Sequence, residues 1–183
     1  MRRALVILTI VLIAGIAGAT LLRPVVDRTI FLVRLSVADP PARLPSPLDS
    51  RVRPRYVNTW GAPREGGRRH QGIDIFAPRS TPVLSTTRGI VTQVGTNSLG
   101  GQVVWVLGPG LESHYYAHLD RFAGIKVGDI VQPGDVLGYV GRTGNARGTP
   151  FHLHYGIYRR GRAENPYLRL GEPAARETGE EDD

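Results

Sequence analysis

The sequence predicts an all-β domain, a mainly antiparallel curled sheet or sandwich, set behind an apolar N-terminal segment. Three observations carry this. Between residues 55 and 170, short β-branched runs alternate with glycine-containing turns. No segment of that stretch keeps a helical period. Five prolines within residues 39–54 separate it from what precedes, a density that supports neither a helix nor a central strand.

The first element is residues 1–38, expected to be a membrane anchor or signal segment. Arg2-Arg3 leads into nineteen uncharged, mostly apolar residues, Ala4 to Leu22, closed by Arg23-Pro24. That length is about enough to span a bilayer as a helix. A cleaved export signal is the competing reading, with a small-residue site at Ala17-Gly18-Ala19. The anchor is preferred because apolar character continues to Leu22 and returns at Ile30–Val33. Either way, the domain is expected outside the cytoplasm, in the cell envelope on the periplasmic side, and the anchor reading adds attachment to the inner membrane.

Residues 39–54 read as a semi-extended proline-rich spacer. Residues 55–170 form the domain. Gly89–Val94, Gln102–Leu107, Ser113–Tyr116, Val136–Val140 and Phe151–Tyr155 are its expected strands, divided by turns at Thr96–Gly100, Gly108–Gly110 and Gly141–Asn145. Residues 171–183 hold six acids against Arg176 alone and are expected to form an acidic disordered tail.

The net charge is +7, almost all of the positive charge being arginine. No recognition helix, finger or aromatic–basic platform accompanies it, so nucleic acid is not an expected partner. The absence of cysteine excludes disulfides and thiolate metal sites. Val127–Val131 and Gln132–Gly138 resemble the strand–turn pairs of lipoyl-type barrel–sandwich hybrids. The single lysine, Lys126, precedes the first of these rather than sitting at a hairpin tip, so a carrier domain is not expected.

Four of the five histidines fall in three short phrases: His70-Gln-Gly-Ile-Asp74, Tyr116-Ala-His118-Leu119 and His152-Leu-His154. In a strand, residues two or four apart share a face, so His70 can join Asp74 and His152 can join His154. Two imidazoles and a carboxylate are a common ligand set for a catalytic zinc with an open position, and two histidines then remain to move protons. The glutamate base of the helical zincins is missing. His114 matches none of the phrases and reads as structural, although its position four before His118 could bring it to the same cleft. Asn97, Asn145 and Arg147 lie in loops that could line a groove. Trp105, Tyr115 and Tyr116 read as core or sheet-face aromatics.

These phrases, with Gly61-Ala-Pro-Arg64, Ala77–Val83, Gly89-Ile-Val91, Val127-Gly-Asp129, Gly138-Tyr-Val-Gly141 and Thr143-Gly144, resemble in order and spacing the LytM/lysostaphin-type zinc metallopeptidases, the M23 peptidase family. The resemblance covers most of Trp60 to Tyr158. It implies that His70, Asp74 and His154 bind one Zn2+ ion and that His118 and His152 are catalytic. It also implies a substrate of bacterial peptidoglycan peptides, cut in stems or cross-links. Two departures stand out: Ser80 where the family has glycine, and Gly148-Thr-Pro-Phe151 with one extra residue before His152. A non-catalytic envelope regulator that binds peptidoglycan or activates other wall hydrolases is the alternative. Such relatives typically lack one of the five side chains, and this chain lacks none.

Overall fold

A computed structural model describes residues 20, 22–52 and 54–170. The chain divides into two units, Met1–Ala38 and Asp39–Asp183. In the first, residues 22–37 form a helix, α1. Val25, Val26, Ile30 and Val33 are exposed along it. Among the described residues, no helix is long and apolar enough to cross a membrane. The anchor-or-signal run from Ala4 to Leu22 lies almost wholly outside the described residues, and the acidic tail 171–183 lies outside them altogether.

Among the described residues, the second unit is built from ten strands. They are β1 Arg55–Tyr56, β2 Ile73–Phe76, β3 Pro82–Leu84, β4 Gly89–Asn97, β5 Gly101–Leu107, β6 Ser113–Phe122, β7 Ile130–Val131, β8 Val136–Val140, β9 His152–Arg159 and β10 Arg162–Glu164. Every strand pair is antiparallel. The main path runs β1-β2-β9-β6-β5-β4-β7, with β10 edging β9 and the β3–β8 pair joined to β6. The five expected strands correspond to β4, β5, β6, β8 and β9. His70 is not in a strand, however, since β2 begins only at Ile73.

Alternation of side chains divides the sheet into two working faces. Ile73 and Ile75 of β2, Val104 and Val106 of β5, Tyr116 of β6, and Leu153, Tyr155 and Ile157 of β9 are buried in the main core. Each such side chain contributes roughly 1.5–3 kcal/mol on burial. The opposite face carries Val103, Trp105, Tyr115, Ala117 and Tyr158 as a second, smaller cluster.

The proline-rich segment is not a free spacer throughout. Leu44 and Leu48 are buried in the main core, Leu44 N–H donates to Arg169 O at 2.7 Å, and Leu84 N–H donates to Pro47 O at 2.8 Å. Proline removes donors from a ladder, but two leucines still bring enough apolar surface to hold the segment on the domain. Ser80 lies at φ +64°, the left-handed region where the family's glycine is unstrained. Its hydroxyl accepts a hydrogen bond from Arg121 Nη1 at 3.1 Å.

Beneath the sheet lies a buried polar network. His114 Nδ1 meets Tyr155 Oη at 2.8 Å and Thr86 Oγ1 at 3.2 Å. Nearby, Glu112 is fully buried and accepts from Arg159 Nη2 at 2.7 Å and Arg169 Nη1 at 2.9 Å. His114 therefore does not reach the cleft described below. It belongs to the core face.

Candidate metal centre

On the other face, β2 and β9 are in register so that Asp74 opposes His154 and Phe76 opposes His152. His70 enters from the segment before β2. It is held by its own backbone, which exchanges hydrogen bonds with Gly61 N–H (2.9 Å) and Ala62 O (2.9 Å). Three donor atoms converge as a result. His70 Nε2 lies 2.8 Å from His154 Nδ1 and 3.1 Å from Asp74 Oδ1, and His154 Nδ1 lies 3.2 Å from Asp74 Oδ1. Ligands about 2.0–2.1 Å from a tetrahedral zinc stand roughly 3.3 Å apart, so the triangle fits that ion.

The protons support the same fit. His70 Nδ1 lies 2.8 Å from Thr59 O, and a carbonyl can only accept, so this nitrogen carries the hydrogen and leaves Nε2 as a lone pair. Within the triangle, with Asp74 ionised and both imidazoles neutral, only His154 Nδ1 can carry a proton, whereas one cation serves all three atoms. Burial alone would raise the Asp74 carboxyl. The neighbouring imidazoles of His154 and His70 outweigh it and hold the group well below the usual carboxylate range. Burial likewise pushes His154 down, against the pull of Asp74. Arg64 Nη2 occupies the second carboxylate oxygen at 2.5 Å, leaving Oδ1 for the triangle.

Gly72 is needed where the chain passes His154. A Cβ there would stand 2.6 Å from Tyr155 O and 2.7 Å from His154 Cε1. The first contact is backbone and cannot yield.

His118 reaches the site through a bulge. Gln102 pairs with Leu119 and Val104 with Tyr116, so Ala117 and His118 together oppose Val103. His118 takes φ +64°, a conformation costing on the order of 1–3 kcal/mol in a non-glycine residue. The extra residue turns its ring to the face of Ala117, away from His114 and Tyr116. Its Nδ1 donates to Thr143 O at 2.9 Å, and His152 Nδ1 donates to Pro150 O at 2.8 Å. Both rings thereby keep Nε2 as an acceptor. They lie 4.9 Å apart between centroids, and His152 Nε2 is 3.9 Å from Asp74 Oδ1. Burial first, then the charges of His154 and His152, push His118 down to about 4. Within the lengthened Gly148–Phe151 segment, the carbonyl of Pro150 orients His152.

All five side chains line one cleft of about 880 Å³. Asn97 and Asn145 line it too, with Trp105 and Tyr115 on the floor, while Arg147 lines an adjoining pocket. Tyr116 is wholly in the core. The carbonyls of Thr59 and Thr143 escaped the sequence reading because no side-chain pattern marks a backbone acceptor; Thr143 entered it only within the Thr143-Gly144 phrase. Thr143 Oγ1 also accepts from Gln102 N–H (2.9 Å) and donates to Leu119 O (2.8 Å), tying the His118 bulge to the 141–145 loop.

Comparison with known proteins agrees with this geometry. Residues 68–166, more than half of the chain, match peptidase family M23. The chain is 46% identical over 136 residues to an L-Ala–D-Glu endopeptidase of Bacillus subtilis, covering 68% of this chain and 42% of that protein. It is 35% identical over 124 residues to the DD-carboxypeptidase/endopeptidase Mpg of Neisseria meningitidis, covering 68% and 26%. It thus spans less than half the length of these relatives. The catalytic domain of lysostaphin from Staphylococcus simulans superimposes with a TM-score of 0.58 at 26% identity, covering 66% of this chain and 98% of that one. A zinc-containing peptidase from Vibrio cholerae gives a TM-score of 0.56 at 28% identity, covering 64% and 37%. The chain belongs to peptidase family M23.

Proposed function

We propose that the protein is a zinc-dependent endopeptidase that hydrolyses peptide bonds in the stems or cross-links of bacterial peptidoglycan. The observation that carries this reading is the convergence of five side chains: three donor atoms about 3 Å apart, beside two imidazoles whose Nδ1–H groups are fixed to carbonyls. His70, Asp74 and His154 would hold the ion, which when bound supplies a Lewis acid to polarise a carbonyl and acidify a water. His118 and His152 each present Nε2 to the cleft. Either can take a proton from an attacking water and return it to the departing amine. Arg64 orients Asp74, and Thr59 orients His70. The names of the relatives, an L-Ala–D-Glu endopeptidase and a DD-carboxypeptidase/endopeptidase, support the peptide bonds of the wall as substrate.

The apolar run from Ala4 to Leu22 supports attachment to the cytoplasmic membrane, and as an anchor or an export signal it would leave the domain outside. The branch of β3 and β8 from β6 supports a curled, barrel–sandwich-hybrid-like sheet.

The test is mass spectrometry of purified peptidoglycan after incubation with the zinc-loaded full chain, beside its His118→Ala variant. New stem-peptide ends made only by the unmutated protein are expected, and they identify the bond. Absence of new ends from walls of several chemistries, with zinc bound, would favour a binding role instead.

A further inference from the structure

The charge in the cleft lies on one wall. Arg64, Arg68 and Arg69 line it together, and among the lining residues described Asp74 is the sole acid. Asp74 is already engaged, with Oδ2 on Arg64 at 2.5 Å and Oδ1 among the imidazoles. A bound zinc would add further positive charge. The lining also includes the neutral side chains of Asn97, Ser98, Asn145 and Thr149.

Arg68 and Arg69 are exposed, yet neither is a free surface arm. Arg68 Nε donates to Glu65 O at 3.2 Å, and Arg69 Nη1 donates to Gly61 O at 3.1 Å. One tether occupies one of five guanidinium N–H groups, and the others have no further partner among the described residues. The segment carrying them is a small closed turn. Arg64 N–H donates to Arg68 O at 2.9 Å, and its ends are joined by the hydrogen bonds between His70 and Gly61 or Ala62. The arginines are therefore indexed to the backbone of His70 itself. A tethered guanidinium loses less freedom when it grips a planar carboxylate, for which its fork is suited.

We propose that this wall is a carboxylate subsite. The preferred substrate is an acidic peptide with a free carboxylate beside the scissile bond, placed against Arg68 and Arg69. Peptides in which that group is amidated, or that are built of glycine alone, are poor ligands. This rests on the endopeptidase reading above, and it adds which wall peptides the site selects.

The experiment uses the full chain and two peptides containing L-Ala–D-Glu, one with the glutamate carboxylate free and one with it amidated. Calorimetry gives Kd for each with the zinc-free protein and with the zinc-loaded His118→Ala variant, and turnover is followed in parallel with the unmutated zinc-loaded protein. The free acid is expected to bind about tenfold tighter, the order of one charge-assisted hydrogen bond. That ratio should shrink to about twofold or less in the Arg68→Gln/Arg69→Gln double variant and recover in part with lysine at both positions. Equal affinities in the unmutated protein, no binding of either peptide, or a preference that survives the double variant would each overturn the subsite. A binding preference without cleavage of either peptide keeps the subsite and counts against the endopeptidase. Equal binding with cleavage of both does the reverse.

Discussion

Asp74 and His154 face each other directly across the β2–β9 pair, with Asp74 Oδ1 3.2 Å from His154 Nδ1. Two of the three donors are thus set by sheet register, because a one-residue slip of either strand would send its donor to the core face. Only His70 comes from outside a strand. Removing a donor should empty the site without unfolding the sheet. Asp74→Ala and His154→Ala are each expected to reduce bound zinc from about one ion per chain to a trace by atomic emission, with an unchanged far-ultraviolet spectrum.

Gly72→Ala leaves every donor in place but drives a methyl group into Tyr155 O and the His154 ring. It should weaken zinc by about 10–100-fold, the range for disturbing a ligand's support. Competition with a chelator measures this. An unaltered affinity would mean that the backbone can move aside.

His118 touches none of the three donors through a hydrogen bond. His118→Ala should keep zinc while lowering turnover by about 10²–10⁴, the usual value of a positioned proton-transfer group. Full activity in that variant would remove His118 from the mechanism.

His114 gives a pH prediction independent of the metal. Burial, then the charge of Arg169, holds it down to about 3, against 6.5 for the free side chain. Between those values the unfolded chain binds the extra proton and the folded one does not. Its contribution to stability is therefore fully present above about 6.5 and is lost as pH falls toward 3. Urea unfolding across that window should show a steeper fall in stability for the unmutated protein than for His114→Gln. Parallel curves would contradict the burial argument.

His114 and His118 also show where sequence reasoning stops. Four apart in one strand, they should share a face, yet the bulge at Ala117 and His118 puts them on opposite sides of the sheet. A bulge is made by pairing with β5 and by Gly101 packing on Thr143 and Gly144, where a Cβ would stand 2.2 Å from Thr143 Oγ1. None of those partners is adjacent in sequence. The same holds for residues 44–48: their composition reads as a spacer, but Leu44 and Leu48 find room in a core assembled from distant strands.

Residue order alone already implied the strand-rich domain, the alternation that separates Leu153 from His152 and His154, and a donor set of two imidazoles and one carboxylate. Those are properties of residue type and short spacing, which local geometry obeys. The tertiary structure alone decided which face His118 occupies and which carbonyls hold the rings of His70, His118 and His152. It also decided that Arg64 takes the second oxygen of Asp74, and that a turn of arginines stands beside the donors. Each depends on groups brought together from separate strands and loops, whose mutual placement follows from register, bulge and packing rather than from any run of neighbouring residues.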